Sequence, residues 1–209
     1  PENLLPEDGL SGAWEACYTM GSGWSYKPVD QNYASAVELI KLLIEIRARG
    51  GNLLLNVTPD MHGVIPVEQE RILQQIGIYL FFNGEAVYNV RPFEVPHEPD
   101  KKVWYTKAKN SDTVYAFILG EWPYAYDCRK EITLRCVEAT PQTEIEMVGQ
   151  SGKVVEHRPG MDAKTYFKQD EEGLHINAVR AYRPYDDRTW PYPVVFRITH
   201  AKYRPVHKD

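Results

Sequence analysis

The stretch GGNLLLNVTP (residues 50–59) decides how this sequence folds. Leu53, Leu54 and Leu55, set between a glycine pair and a proline, are too short a run for an ordinary helix and read as a buried strand. Upstream, SAVELIKLLIEIRAR (35–49) repeats apolar residues at helical spacing. It opens with a capping box, Ser35 with Glu38 three residues on, and stops at Gly50-Gly51. Downstream, Pro66 stands where a first helical residue belongs, and VEQERILQQIGIYLFFN (67–83) runs to a C-terminal stop at Gly84. Helix, strand, loop, helix is the repeating unit of an α/β sheet or barrel. Chemistry in such folds sits just past the C-terminal end of the strand, so residues 56–63 are searched first. His62 in that loop reads as an exposed turn residue, since it adjoins Gly63 and lacks a partner at metal-ligand spacing.

The preceding residues supply the other candidates. PENLLPEDGLSG (1–12) is a loop rich in Pro, Gly and acids, with Glu2, Glu7 and Asp8. It reads as entered from something upstream, so the chain is expected to be the C-terminal portion of a longer protein. AWEACYTM (13–20) alternates as a short strand. Its Glu15, between Trp14 and Ala16, is either a partly desolvated acid with a raised pKa or part of a structural hydrogen-bond network. In GSGWSYKPVD (21–30) the glycines present Trp24 and Tyr26, whose rings either stack on sugars or pack beneath the loop.

After EAVYNVRPF (85–93), an extended segment expected to lie back across the first domain, composition changes abruptly. EVPHEPDKK (94–102) is rich in Pro and charge and marks a linker between a first domain, 1–93, and a second, 103–209. Beyond it helical periodicity gives way to strands at 103–106, 113–119, 131–137, 144–148, 174–178 and 194–199. Inside-outside alternation is clear in TVYAFIL and PVVFRIT, and the set predicts an antiparallel β-sandwich. The aromatic, charged loops at 124–128 and 183–192 read either as a binding rim or, more simply, as packing against the first domain.

The 209 residues carry a net charge of -5 and no basic cluster, which argues against nucleic acid or an anionic membrane as partner. The apolar run IGIYLFF is too short to span a bilayer. Fourteen Tyr and five Trp suit sugar-facing surfaces, although sandwich cores consume the same residues. Cys17, Cys128 and Cys136 lack CxxC spacing, so a zinc site or disulfide framework is not expected; they read as buried thiols, a Cys128 to Cys136 bridge being the alternative. Neither half holds a GxGxxG, Walker, HExxH or GxSxG motif.

Three stretches together resemble the family 29 glycoside hydrolases, the α-L-fucosidases. They are PENLLPEDGLSGAWEACYTMGSGWSYKP (1–28), RGGNLLLNVTPDMHG (49–63) and IPVEQERILQQIGIYLFFNGEAVYNVRP (65–92). The resemblance covers about the first 92 residues; the remainder fits that family's C-terminal sandwich in architecture rather than in motif. It implies α/β plus all-β: the C-terminal part of a (β/α)8-like barrel followed by an antiparallel β-sandwich, with residues 52–57 as the last barrel strand and 66–83 as the last barrel helix. It also implies a retaining hydrolase that removes terminal α-L-fucose from glycans with two carboxyl groups and without metal or cofactor. The aspartate nucleophile would lie upstream of residue 1, so the missing N-terminal barrel segment is an expected partner. Pro1-Glu2 aligns with the end of a Thr-Pro-Glu motif, making Glu2 the first choice for the acid/base and Glu15 of the WE pair the second. Trp24, with Trp14, is expected to bind fucose. The compartment, whether secreted, periplasmic or lysosomal, is left open. The competing reading is a non-catalytic glycan-binding or scaffold module, working through Trp122, Tyr126 or Trp190.

Overall fold

The computed structural model describes residues 1–7, 9–29, 32–120, 122, 129–153, 160–180 and 193–206. The first unit contains β1 (Glu15–Thr19), α1 (Ala36–Ala48), β2 (Asn52–Asn56) and α2 (Val67–Asn83). β1 and β2 are parallel and in register from Glu15 opposite Asn52 to Thr19 opposite Asn56, with α1 as the crossover that parallel pairing requires. The capping box is formed: the Glu38 N–H donates to Ser35 Oγ (3.3 Å), and the Ser35 N–H donates to the Glu38 carboxylate (2.8 Å).

The two glycines ending α1 answer different constraints. Gly50 takes a left-handed φ of 86°. Gly51 does not; there the Trp14 indole lies so close that a Cβ would come within 2.5 Å of it.

The second helix departs from expectation at both ends. Pro66 is the N-cap (φ -55°, ψ 141°), one position before the first helical residue. In place of a capping side chain on Pro66, buried Gln69 fastens the incoming loop: its Oε1 accepts from the Thr58 N–H (2.9 Å) and its Nε2 donates to Thr58 Oγ1 (2.7 Å). Gly84 is right-handed (φ -60°) and continues into a 3-10 turn, Gly84–Ala86, because its carbonyl accepts from the N–H groups of Val87 and Tyr88. The leucine strand is likewise not buried: Leu54 is 50% exposed. On its other face Leu53 and Leu55 line an open groove of about 430 Å³ with Leu39, Leu43, Ile76 and Leu80.

The rest of the chain is antiparallel sheet. β3 (Val90–His97), β4 (Val103–Ala108), β5 (Val114–Ile118), β8 (Ile145–Met147) and β11 (Val194–Ile198) form a five-stranded sheet in the order β3-β4-β5-β11-β8. β6 (Lys130–Leu134), β9 (Tyr166–Gln169) and β10 (Leu174–Ala178) form a second, ordered β6-β10-β9; β7 (Val137–Glu138) pairs with β12 (Lys202–Tyr203). Inward residues of the two larger sheets, among them Tyr105, Ala116, Phe196, Leu134 and Ile176, share one core. This is the layering of a β-sandwich.

Two sequence boundaries move. The 94–102 stretch is not a free linker, because β3 already begins at Val90 and runs to His97 as an edge strand, where Pro92 and Pro96 are tolerated. The expected 131–137 strand breaks in two at the same place. Buried Glu98 turns one oxygen, Oε1, toward the Tyr105 hydroxyl (2.5 Å) and the N–H groups of Arg135 (2.8 Å) and Cys136 (3.0 Å), taking those amides out of a strand ladder. Burial first, and then the Glu98 carboxylate, drives the Tyr105 hydroxyl well above its ordinary pKa and the Cys136 thiol up to about 12.

The alternation in β5 has a meaning that sequence did not supply. Val114, Ala116 and Ile118 enter the sandwich core, while Tyr115 and Phe117 pack under the helices with Ile40, Ile44 and Tyr79. The face expected to meet solvent is thus a second core, and the five-stranded sheet is the middle of three layers. Its polar contacts are paired: Arg49 lies over the Trp104 ring at 4.4 Å, and Arg197 donates to both oxygens of Glu85 (3.1 Å each) and to Glu146.

Candidate active site

The residues before β1 add a strand-like edge to the parallel pair. The Cys17 N–H donates to the Pro1 carbonyl (2.8 Å) and the Asn3 N–H to the Cys17 carbonyl (2.9 Å), which pairs Glu2 with Cys17. Paired residues on neighbouring strands share a face, and alternate residues along a strand share it too. One face therefore carries Glu2, Glu15, Cys17 and Thr19 with Asn52, Leu54 and Asn56. The opposite parity, Trp14, Ala16, Tyr18 and Leu53, packs with Ile46 and Leu42 of α1.

Past the C-terminal ends of the strands, residues 20–29 and 32–34 belong to a loop that is closed at its base. Its base is held by the Ala34 N–H on the Met20 carbonyl (2.8 Å), by an antiparallel bridge between Gly21 and Tyr33, and by the Met20 N–H on the Asn56 carbonyl (3.2 Å). Its far side is tied to the strand ends. Thr19 Oγ1 donates to the Gly23 carbonyl (2.9 Å), and Asn56 Nδ2 donates to the Trp24 carbonyl (3.2 Å) and to Thr19 Oγ1 (3.4 Å). Trp24 itself stays 40% exposed. The β2–α2 loop is set by Asp60, whose Oδ1 accepts from the N–H groups of His62 (2.8 Å) and Val64 (2.9 Å). That turn leaves His62 exposed.

One polar face ending at an aromatic loop is the arrangement on which comparison with known proteins bears. The model of the α-L-fucosidase family matches residues 1–85, and that of the α-L-fucosidase C-terminal domain matches residues 98–198. The chain belongs to the α-L-fucosidase family. It is similar to the tissue α-L-fucosidase of Mus musculus, with 38% identity over 72% of this chain and 33% of the relative. To the α-L-fucosidase of Dictyostelium discoideum it is 30% identical over 95% of this chain and 40% of the relative. Among solved structures, an α-L-fucosidase from Vibrio sp. strain EJY3 superposes with a TM-score of 0.70 at 21% identity, covering 98% of this chain and 32% of that one. The chain thus spans well under half the length of the relatives it matches.

Against the expectations drawn from fucosidase resemblance, the structure separates the candidates. Glu2 and Glu15 share one face but not one level. Glu2 is paired with Cys17, whereas Glu15 opens β1, two residues or roughly 7 Å further from the loop-bearing end. Glu15 is exposed, and its apolar sequence neighbours both point to the other side of the strand. Trp14 is the clearest correction. Its indole is 8% exposed on the helix side, stacked on Gly51, and does not reach the face that carries Glu2.

Trp122 is also buried, against Phe196 with ring centroids 5.6 Å apart. Tyr126, Trp190 and Cys128, with the loops at 124–128 and 183–192, lie outside the described residues. Cys17 and Cys136 are free thiols, the first only partly buried. Among the described residues no group of three or more His, Cys, Asp or Glu side chains comes together as a metal site would require, and no helix is long and apolar enough to cross a membrane.

Sequence reading missed Thr19 and Asn56, the two residues that hold the Trp24 loop. The signal available was their position: each is the last residue of its strand, and each is a small polar residue after an apolar stretch.

Proposed function

We propose that this chain is the C-terminal part of a retaining exo-α-L-fucosidase. In this reading β1 and β2 are the last strands of a (β/α)8-like barrel, residues 103–209 belong to the accompanying sandwich domain, and the remaining strands with the aspartate nucleophile come from residues outside this chain. The observation that carries it is the shared face of Glu2, Thr19 and Asn56, which ends beneath the exposed Trp24. In a closed barrel that face is the lumen, and its loop-bearing end is where substrate enters. The open edge of β2 and the apolar groove beside Leu53 and Leu55 are surfaces that a neighbouring barrel unit would cover.

A retaining glycosidase sets two carboxyl groups about 5–5.5 Å apart across the scissile bond. Glu2 takes the acid/base role here. It protonates the departing glycosidic oxygen as the nucleophile attacks the anomeric carbon, and then deprotonates the water that releases fucose. In the first step the acid must be neutral at working pH, and neighbours from the rest of the barrel would supply the desolvation that does this. Trp24 offers its ring to the apolar side of the fucose, and the substrate is a fucosylated glycan.

The test is Glu2→Gln in the complete polypeptide, with Glu15→Gln beside it. For Glu2→Gln, turnover of substrates with poor leaving groups falls by about 10²–10⁴-fold, while the first step with activated aryl fucosides is spared. Unchanged turnover of both substrate types would remove Glu2 from the mechanism, and the same loss in Glu15→Gln alone would transfer the role to Glu15.

A further inference from the structure

We infer that Thr19 and Asn56 are positioning residues for substrate, acting through the Trp24 loop; this rests on the reading of Trp24 as a sugar-binding side chain. Neither side chain need touch substrate. What they touch is backbone: Thr19 Oγ1 reaches the Gly23 carbonyl at 2.9 Å, and Asn56 Nδ2 reaches the Trp24 carbonyl at 3.2 Å. The two are themselves linked at 3.4 Å, so the amide and hydroxyl act as one relay from the ends of two adjacent strands to two successive carbonyls.

The loop has reason to need such a tie. Gly21 and Gly23 flank Ser22 before Trp24, and glycine loses the most conformational freedom on ordering. The bridge of Gly21 to Tyr33 closes the base of the loop, and the Thr19 and Asn56 side chains meet the carbonyls of Gly23 and Trp24 further along it. The donors stand on a paired, in-register strand end, a rigid platform, and a site carried on such elements is held more closely than one carried on a loop. Without the relay Trp24 still exists but samples more positions, and substrate must order it on binding, which lowers affinity. Chemistry at the anomeric carbon is performed by other groups, so the loss appears in binding before turnover.

The experiment compares Thr19→Val, Thr19→Ser, Trp24→Ala and the double variant Thr19→Val/Trp24→Ala in the complete polypeptide, with an aryl α-L-fucoside as substrate and thermal unfolding as a second measurement. Thr19→Val, which keeps shape and loses the hydroxyl, raises KM about 5-fold and lowers kcat less than that. Thr19→Ser, which restores the hydroxyl, returns KM to the wild-type value. In the Trp24→Ala background Thr19→Val adds no further rise. Two results would overturn the inference: full additivity of Thr19→Val and Trp24→Ala, or a KM unchanged by Thr19→Val in protein that unfolds at the wild-type temperature. An unchanged KM in Trp24→Ala itself overturns the underlying reading of Trp24 instead, so the two failures are distinguishable. Asn56→Asp supplies an independent check, because a carboxylate would face the Trp24 carbonyl as acceptor against acceptor. Its KM relative to wild type rises above the carboxylate pKa and falls back as acid restores a donor, whereas a merely structural effect would not follow pH in this way.

Discussion

Two five-residue strands, each with an apolar centre, meet opposite fates in this molecule. β5, VYAFI, is buried at every residue, because one face enters the sandwich core and the other is roofed by α1 and α2. β2, NLLLN, has no fully buried residue, and Leu54 is half exposed. At the apolar centres the difference lies in the number of covered faces and edges. β5 has a strand on each side and a layer above and below, whereas β2 has β1 on one edge and α1 on one face. On the proposed reading, this open edge and face are where a complete barrel would place the other neighbours of β2.

That contrast breaks most visibly at Phe117, fully buried beneath the helices. Phe117→Ala in the 209-residue chain is expected to cost about 3–5 kcal/mol by chemical denaturation. A loss below about 1 kcal/mol would mean that the helical layer does not hold the sheet.

Glu98→Ala comes next, at about 2–3 kcal/mol, because it leaves the Tyr105 hydroxyl and the Cys136 N–H buried, and the Arg135 N–H part-buried, without their acceptor. Glu98→Gln, which keeps one acceptor oxygen, should recover a large share of that loss. Failure to recover any of it would count against the hydrogen bonds as the cause.

Leu54→Ala sharpens the comparison from the exposed side. In the 209-residue chain it costs less than about 1 kcal/mol, since half of the side chain already meets water. In the complete polypeptide the same change rises toward the roughly 2–5 kcal/mol of a core leucine if the lumen is closed. Equal costs in both settings would speak against barrel closure over this face.

A separate effect concerns pH. Burial, and then the neighbouring Glu85 carboxylate, push the Tyr115 hydroxyl up to about 12. A pKa raised on folding favours the protonated form in the folded state. The resulting stability is complete below the unfolded value near 10 and drains away as pH rises from about 10 to about 12. The Cys136 thiol, also raised to about 12, loses its share from about 9 upward in the same sense. Denaturation between pH 8 and 12 should therefore show falling stability, and Tyr115→Phe should flatten only the part above about 10. An unaltered slope in Tyr115→Phe would place the alkaline loss elsewhere.

What the sequence by itself determined is what rests on near neighbours along the chain. The capping box at Ser35 and Glu38, the left-handed stop at Gly50 and the turn around Asp60 each involve groups within a few residues, so their residue types announce them. The sandwich strands β4, β5, β8, β10 and β11 were legible for the same reason, as short runs between turns, while β9 and β12 were not. Only the tertiary structure decided that the outward face of β5 is a second core, that Trp14 is spent against Gly51, and that Glu98 splits one strand into two. It alone put Glu2 beside Cys17 and brought Thr19 and Asn56, 37 residues apart, to one loop. Each of these depends on contacts between residues distant in sequence, where the same apolar, acidic or small polar side chain serves equally in a core, a turn or a site. Its role there follows from which surface closes over it.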